Sequence, residues 1–134
     1  MGFDQYHEPP EELSAQTRTF ARMCASLTEE AEAIGWYEQR ISVEADAEAV
    51  AIMHDAQGEE FKHFSMDLEL LLRRTPKWRE IAKGVLFQDG DIVEHGEAAE
   101  AAADSDVPAA PAAAGGAAAA SGSLGIGDLR GAGR

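Results

Sequence analysis

Between Pro10 and Pro76 the chain contains no proline, and its larger apolar residues recur with a helical period. Phe20, Met23, Leu27, Ile34, Tyr37 and Ile41 fall at spacings of three, four and seven, which predicts an amphipathic helix from about Glu11 to Ser42. Pro9 and Pro10 suit its start, where a missing N–H costs nothing. The pattern breaks around SVEAD, and Asp46 suits the N-cap of a second helix that runs to about Arg74. Ala49, Met53, Ala56, Phe64 and Leu71 form the stripe of that helix, with Ile52, Leu68 and Leu70 on its flanks. After Thr75, the segment PKWREIAKGVLF opens on a proline and reads as a third, short helix. Two long helices joined by a short break form an antiparallel hairpin, but a pair of helices cannot enclose a core. The expected fold is therefore all-α: a two-helix antiparallel hairpin plus a short C-terminal helix, becoming a four-helix bundle on dimerisation.

The apolar stripes carry two charged anomalies. At roughly 100° per residue, Glu30 lies within about 60° of Met23, Leu27, Ile34, Tyr37 and Ile41. Glu60 stands one heptad after Met53, flanked on the wheel by Ala56, Phe64 and Leu71, and His63 lies about 60° to one side. Burying an unpaired carboxylate costs several kcal/mol, so each glutamate needs a strong partner or a metal. Glu-x-x-His arises often by chance in acidic helical proteins: Glu60 could pair with Arg40 or Lys62, and His63 could be an ordinary satisfied histidine. Glu29 and Glu32 sit off the stripe and read either as a solvated face or as an approach route for cations. Trp36 and Tyr37 read as core aromatics or as neighbours of a metal. Carboxylates with one imidazole and no thiolate suit iron or manganese, with zinc as a competitor. A carboxylate di-iron centre takes a Glu from each of two helices and a Glu-x-x-His from each of two more. One chain holds Glu30 and Glu60-x-x-His63, which is half of that set. A two-fold dimer supplies the other half, with the centre on the symmetry axis.

Charge and composition exclude other classes. A formal net charge of −14 leaves no basic stripe for nucleic acid. No apolar run is long enough to span a membrane and no secretory leader is visible, so neither a membrane nor export is expected. Cys24 is the only cysteine, which rules out a disulfide framework and a cysteine zinc site and suits a reducing, cytoplasmic compartment. Residues 1–95 are expected to form the helical domain. Residues 96–122, rich in Ala, Gly, Pro and Ser with no recurrent large apolar residue, are expected to form a disordered linker. Its reach would be roughly 30 Å. A partly helical Ala-rich stalk is the alternative, against which Pro108, Pro111 and Gly115-Gly116 stand. Residues 123–134 bring back apolar side chains at Leu124, Ile126 and Leu129.

Four segments together resemble a known family. HEP near the start, EEAEAIGWYEQR at 29–40, GEEFKHFSM at 58–66 and VLFQDGDI at 85–92 are similar, in this order, to the encapsulated ferritins. SLGIGDLRG at 123–131 resembles the cargo-loading peptide that docks ferroxidases inside encapsulin shells. The resemblance implies a ferritin-like bundle, a dimer assembling to an annular decamer, and a di-iron ferroxidase centre at the dimer interface. It implies oxidation of Fe(II) for mineral storage within the encapsulin nanocompartment, since the ring has no storage cavity of its own. By motif, Glu30, Glu60 and His63 match the iron ligands, Trp36 and Tyr37 the neighbouring aromatics, and Glu29 and Glu32 a secondary metal site on the approach. Leu124, Ile126 and Leu129 match the targeting residues. Lys62 stands where an acidic residue is expected, and Gly35 and Gly58 weaken their helices by about 1 kcal/mol each. None of these departures removes a proposed ligand. The alternative function is a non-catalytic, metal-binding helical cargo or assembly protein.

Overall fold

The computed structural model describes residues 5–105, and among them the chain is entirely helical. A 3-10 turn at Pro10–Glu12 precedes α1 (Ala15–Val43), α2 (Ala47–Arg74), α3 (Pro76–Val85) and α4 (Ile92–Ser105). Pro10 thus opens the short turn rather than the long helix. The cap of α1 is Ser14, whose hydroxyl accepts from Thr17 N at 3.0 Å. Its one-turn delay follows from Leu13, which is extended and separates the two helical segments.

The turn between α1 and α2 is built from two carboxylates. Glu44 Oε1 accepts from Ala45 N and Asp46 N, each at 2.9 Å. Asp46 Oδ1 accepts from Glu48 N and Ala49 N, also at 2.9 Å, and so caps α2 as expected. This short connection sends α2 back along α1, and the two helices pack along their length. Arg73 and Arg74 end α2, where the helix macrodipole favours cations. Thr75 leaves helical geometry, at φ −129° and ψ 86°, before Pro76, which starts α3. Glu69 ties the two helices together, accepting from Arg73 Nε at 2.9 Å and from Arg79 Nη1 at 3.5 Å.

The fourth helix departs from expectation. Residues 92–105 are helical, so the expected linker does not begin at residue 96; the sequence beyond 105, including the expected targeting residues Leu124, Ile126 and Leu129, lies outside the described residues. Asp91 starts α4 by accepting from Glu94 N at 2.9 Å. Alanine and glutamate supply helix propensity. The helix then packs on α3 through small residues: Ala103 is buried, and Gly84 lets Ala99 approach so closely that a Cβ at Gly84 would overlap the Ala99 Cβ. Lys77 of α3 pairs with Asp104. Close backbone approach replaces the large apolar stripe whose absence had suggested a linker.

Burial is sparse. Only Leu71, Leu72 and Ala103 are buried apolar residues among those described, and α1 has none. Trp36, Val43, Ile52, Phe61 and Met66 stand more than half exposed along the hairpin. No helix among the described residues is long and apolar enough to cross a membrane. A hairpin about 40 Å long with so little interior leaves its apolar surface for association.

Candidate metal centre

The hairpin brings Glu30 of α1 against Glu60 and His63 of α2. One ligating atom from each of the three lies within 4.8 Å of the other two. The pairing follows from the turn: Glu30 and Glu60 are each fifteen residues from Ala45, the middle of the connection, so an antiparallel hairpin sets them side by side. His63 is one turn beyond Glu60, and its Nδ1 lies 3.4 Å from Glu60 Oε2. The Glu60 side chain is 22% exposed and that of His63 46%, so the cluster is rooted in the helix seam and open on its outer side.

Electrostatics couple the two carboxyls of the cluster. The Glu30 carboxyl is pushed above its usual range, first by the hydrogen bond its protonated form gives to Glu60, then by partial burial and by the charge on Glu60. Glu60 is held below the usual range, first by accepting that hydrogen bond, then by His63, with partial burial opposing. At this range each carboxylate opposes ionisation of the other, which favours a proton held between them. A divalent cation would take the place of that proton and relieve the repulsion. Two carboxylates and an imidazole, without a thiolate, fit iron or manganese and admit zinc.

The remaining site residues lie around this cluster. Lys62 pairs with Glu59, and the Arg40 guanidinium stands 5.4 Å from the centre of the Tyr37 ring, so each candidate cation partner of Glu60 is engaged elsewhere. Glu29 and Glu32 are exposed on α1, and among the described residues neither joins a group of three potential ligands. Glu32 borders a shallow depression with Leu27, Thr28, Ala31 and Phe64. Trp36 is 53% exposed beside Gln39 and Arg40, while Tyr37 is partly buried. Among the described residues, none of these four joins the three-residue cluster.

Gln57 is a residue that the charge pattern did not point to. It is 5% exposed, and its Nε2 donates to Ile34 O at 3.3 Å and to Glu38 Oε2 at 3.0 Å, crossing the helix seam. A polar residue between Ala56 and Gly58 reads as surface from sequence; only its wheel position, one turn before Glu60, hinted at the seam.

Fold and site together define a ferritin-like helical protein with a carboxylate–imidazole cluster on its hairpin. Comparison with known proteins agrees. The sequence model of the EncFtn-like family matches residues 5–89, and the chain belongs to that family, the encapsulated ferritins. An encapsulated ferritin-like protein of Rhodospirillum rubrum is 41% identical over 125 residues, 93% of this chain and 87% of the relative. A ferritin-like protein of Thermotoga maritima is 43% identical over 91 residues, 68% of this chain and 80% of the relative. The crystal structure of protein ne0167 from Nitrosomonas europaea superimposes with a TM-score of 0.65 at 39% identity, over 66% of this chain and 98% of that one.

Proposed function

We propose that this chain is a ferroxidase subunit that takes Fe(II) as substrate, oxidises it to Fe(III) with dioxygen as acceptor, and works inside an encapsulin shell. The observation that carries the reading is the Glu30–Glu60–His63 cluster, whose three ligating atoms converge within 4.8 Å yet amount to half a di-iron ligand set. Family membership supports it, as do the names of the two relatives, which are ferritin-like and in one case encapsulated.

A two-fold dimer brings the second half. The cluster opens on the same hairpin that exposes Trp36, Phe61 and Met66, so covering apolar surface and completing the ligand set are one event. A pair of bound irons supplies two electrons for reduction of dioxygen. The chain's own residues do the rest. Glu30 and Glu60 release their shared proton and offer oxygen ligands, and His63 offers a ring nitrogen. Glu29 and Glu32, exposed one helix face away, hold incoming Fe(II) on its approach. Trp36 and Tyr37, in the partner hairpin's contact zone, exclude water around the centre. Dimers assembling to an annular decamer, and residues 123–134 docking Leu124, Ile126 and Leu129 in the shell wall, complete the account.

Aerobic addition of Fe(II) tests it. The protein should raise ferric absorbance faster than buffer, and a rate equal to buffer would leave a metal-binding cargo or assembly protein without turnover.

A further inference from the structure

Gln57 does more than fill the seam. Among the described residues it is the only buried polar side chain, and both of its amide hydrogens go to one turn of the opposite helix, at Ile34 and Glu38. That turn immediately follows Glu30 on α1, and Gln57 immediately precedes Glu60 on α2. In an antiparallel pair the two contacts are adjacent rungs, about one helical turn or 5.4 Å apart. Outside the cluster itself, the residues near these rungs are apolar or small: Leu27, Ile34, Ala56 and Phe64. Apolar contact is non-directional and tolerates rotation or sliding of one helix on the other. A directed hydrogen bond does not, and a buried polar residue in a helix pair is a well-attested way to fix register. The alternative role, simple satisfaction of a buried amide, would leave the metal cluster indifferent to its loss.

We propose that Gln57 is a positioning residue: it locks α1 against α2 at the rung beside the cluster and so holds Glu30 at ligand distance from Glu60 and His63. The proposal rests on these three as metal ligands, and its test separates the two claims. Ile34 O keeps its own helical partner and Glu38 is exposed, so removing the amide strands no buried group on α1. Stability therefore changes little while geometry loosens.

The experiment uses the full chain with Co(II) as probe, following its visible d–d band, together with thermal melting and helical circular dichroism. Gln57→Met matches the side chain in length and volume without donors. It should keep its helix content, melt within about 4 °C of wild type, bind Co(II) about 10- to 100-fold more weakly, and show a shifted band. Gln57→Asn keeps the amide but withdraws it by one methylene and should show the same loss; it decides the matter if the Met variant fails to fold. Wild-type Co(II) affinity and an unchanged band in a folded Gln57 variant would overturn the proposal, provided Glu60→Ala abolishes the band. Should Glu60→Ala keep the wild-type band, the ligand assignment fails and the positioning role falls with it.

Discussion

The Glu30 carboxyl is raised and the Glu60 carboxyl lowered by their mutual hydrogen bond, which favours a proton between them, and His63 stands on the open side of the pair. Such a group is poorly suited to be a structural ion pair, because two carboxyls face a single imidazole that is a cation only when protonated. It is suited to exchange the proton for a metal. Glu30→Ala, Glu60→Ala and His63→Ala should therefore each slow Fe(II) oxidation by at least about tenfold. Glu29→Ala and Glu32→Ala should alter the rate at low Fe(II) while leaving the number of tightly bound metals unchanged. Stopped-flow absorbance with metal analysis decides this, and wild-type rates in all three ligand variants would sink the assignment. The three-residue cluster was legible in the sequence because two carboxylates on apolar stripes are physically anomalous and His63 lies one turn from the second. Gln57 was not, since an amide carries no charge to make its burial conspicuous. Its importance depends on which turn of α1 lies opposite, and that is a property of the turn at Glu44 and Asp46.

Helices α1, α2 and α3 announce themselves by period, caps and the Thr75-Pro76 break, whereas α4 does not. Its packing depends on the absence of side chains, Gly84 against Ala99, and hydropathy patterns register only what is large. Gly84→Ala tests that contact. Alanine gains about 1 kcal/mol of helix propensity over glycine, but forcing a methyl group into a filled contact costs typically 1–3 kcal/mol. Both clashing atoms are fixed to backbone, so the clash should win. Amides of 92–105 should then exchange faster, and adding Ala99→Gly should restore their protection. The joint between α2 and α3 has its own signature. Glu69 is held below the usual carboxylate range, first by the hydrogen bond from Arg73, with the charges of Arg73 and Arg79 adding. A depressed folded pKa stabilises the fold above the unfolded carboxylate value, about 4.3 for Glu. That contribution is lost as pH falls through the folded value. Glu69→Gln should accordingly be less stable than wild type in urea at pH 7, and the difference should vanish in acid. A difference that persists or grows in acid would show that the ion pairs do not hold this joint.

At the scale of the molecule, the proposed function needs a second copy, which would cover the exposed hairpin residues and complete the proposed ligand set. The expectation of a dimer comes from ligand arithmetic, whereas the arrangement of copies depends on surfaces that no single-chain pattern encodes. The tail carries the other whole-molecule prediction. Leu124, Ile126 and Leu129 follow a Gly- and Ala-rich stretch and suit docking of alternate side chains in shallow pockets. Many weak tails on one ring gain by effective concentration. Co-expressed with a shell, the full chain and a fluorescent protein bearing residues 121–134 should co-purify inside it. A chain ending at Ala120 should keep its activity and stay outside; packaging of that truncation would refute the targeting role. The central claim, that one chain supplies half of a shared metal centre, is tested most directly by native mass spectrometry during anaerobic Fe(II) titration. Iron should appear on dimers and their multiples, two per dimer, with monomer depleted as iron is added, and Glu60→Ala should show neither effect. Tight, stoichiometric iron on monomers, with no change in the oligomer distribution, would contradict the account.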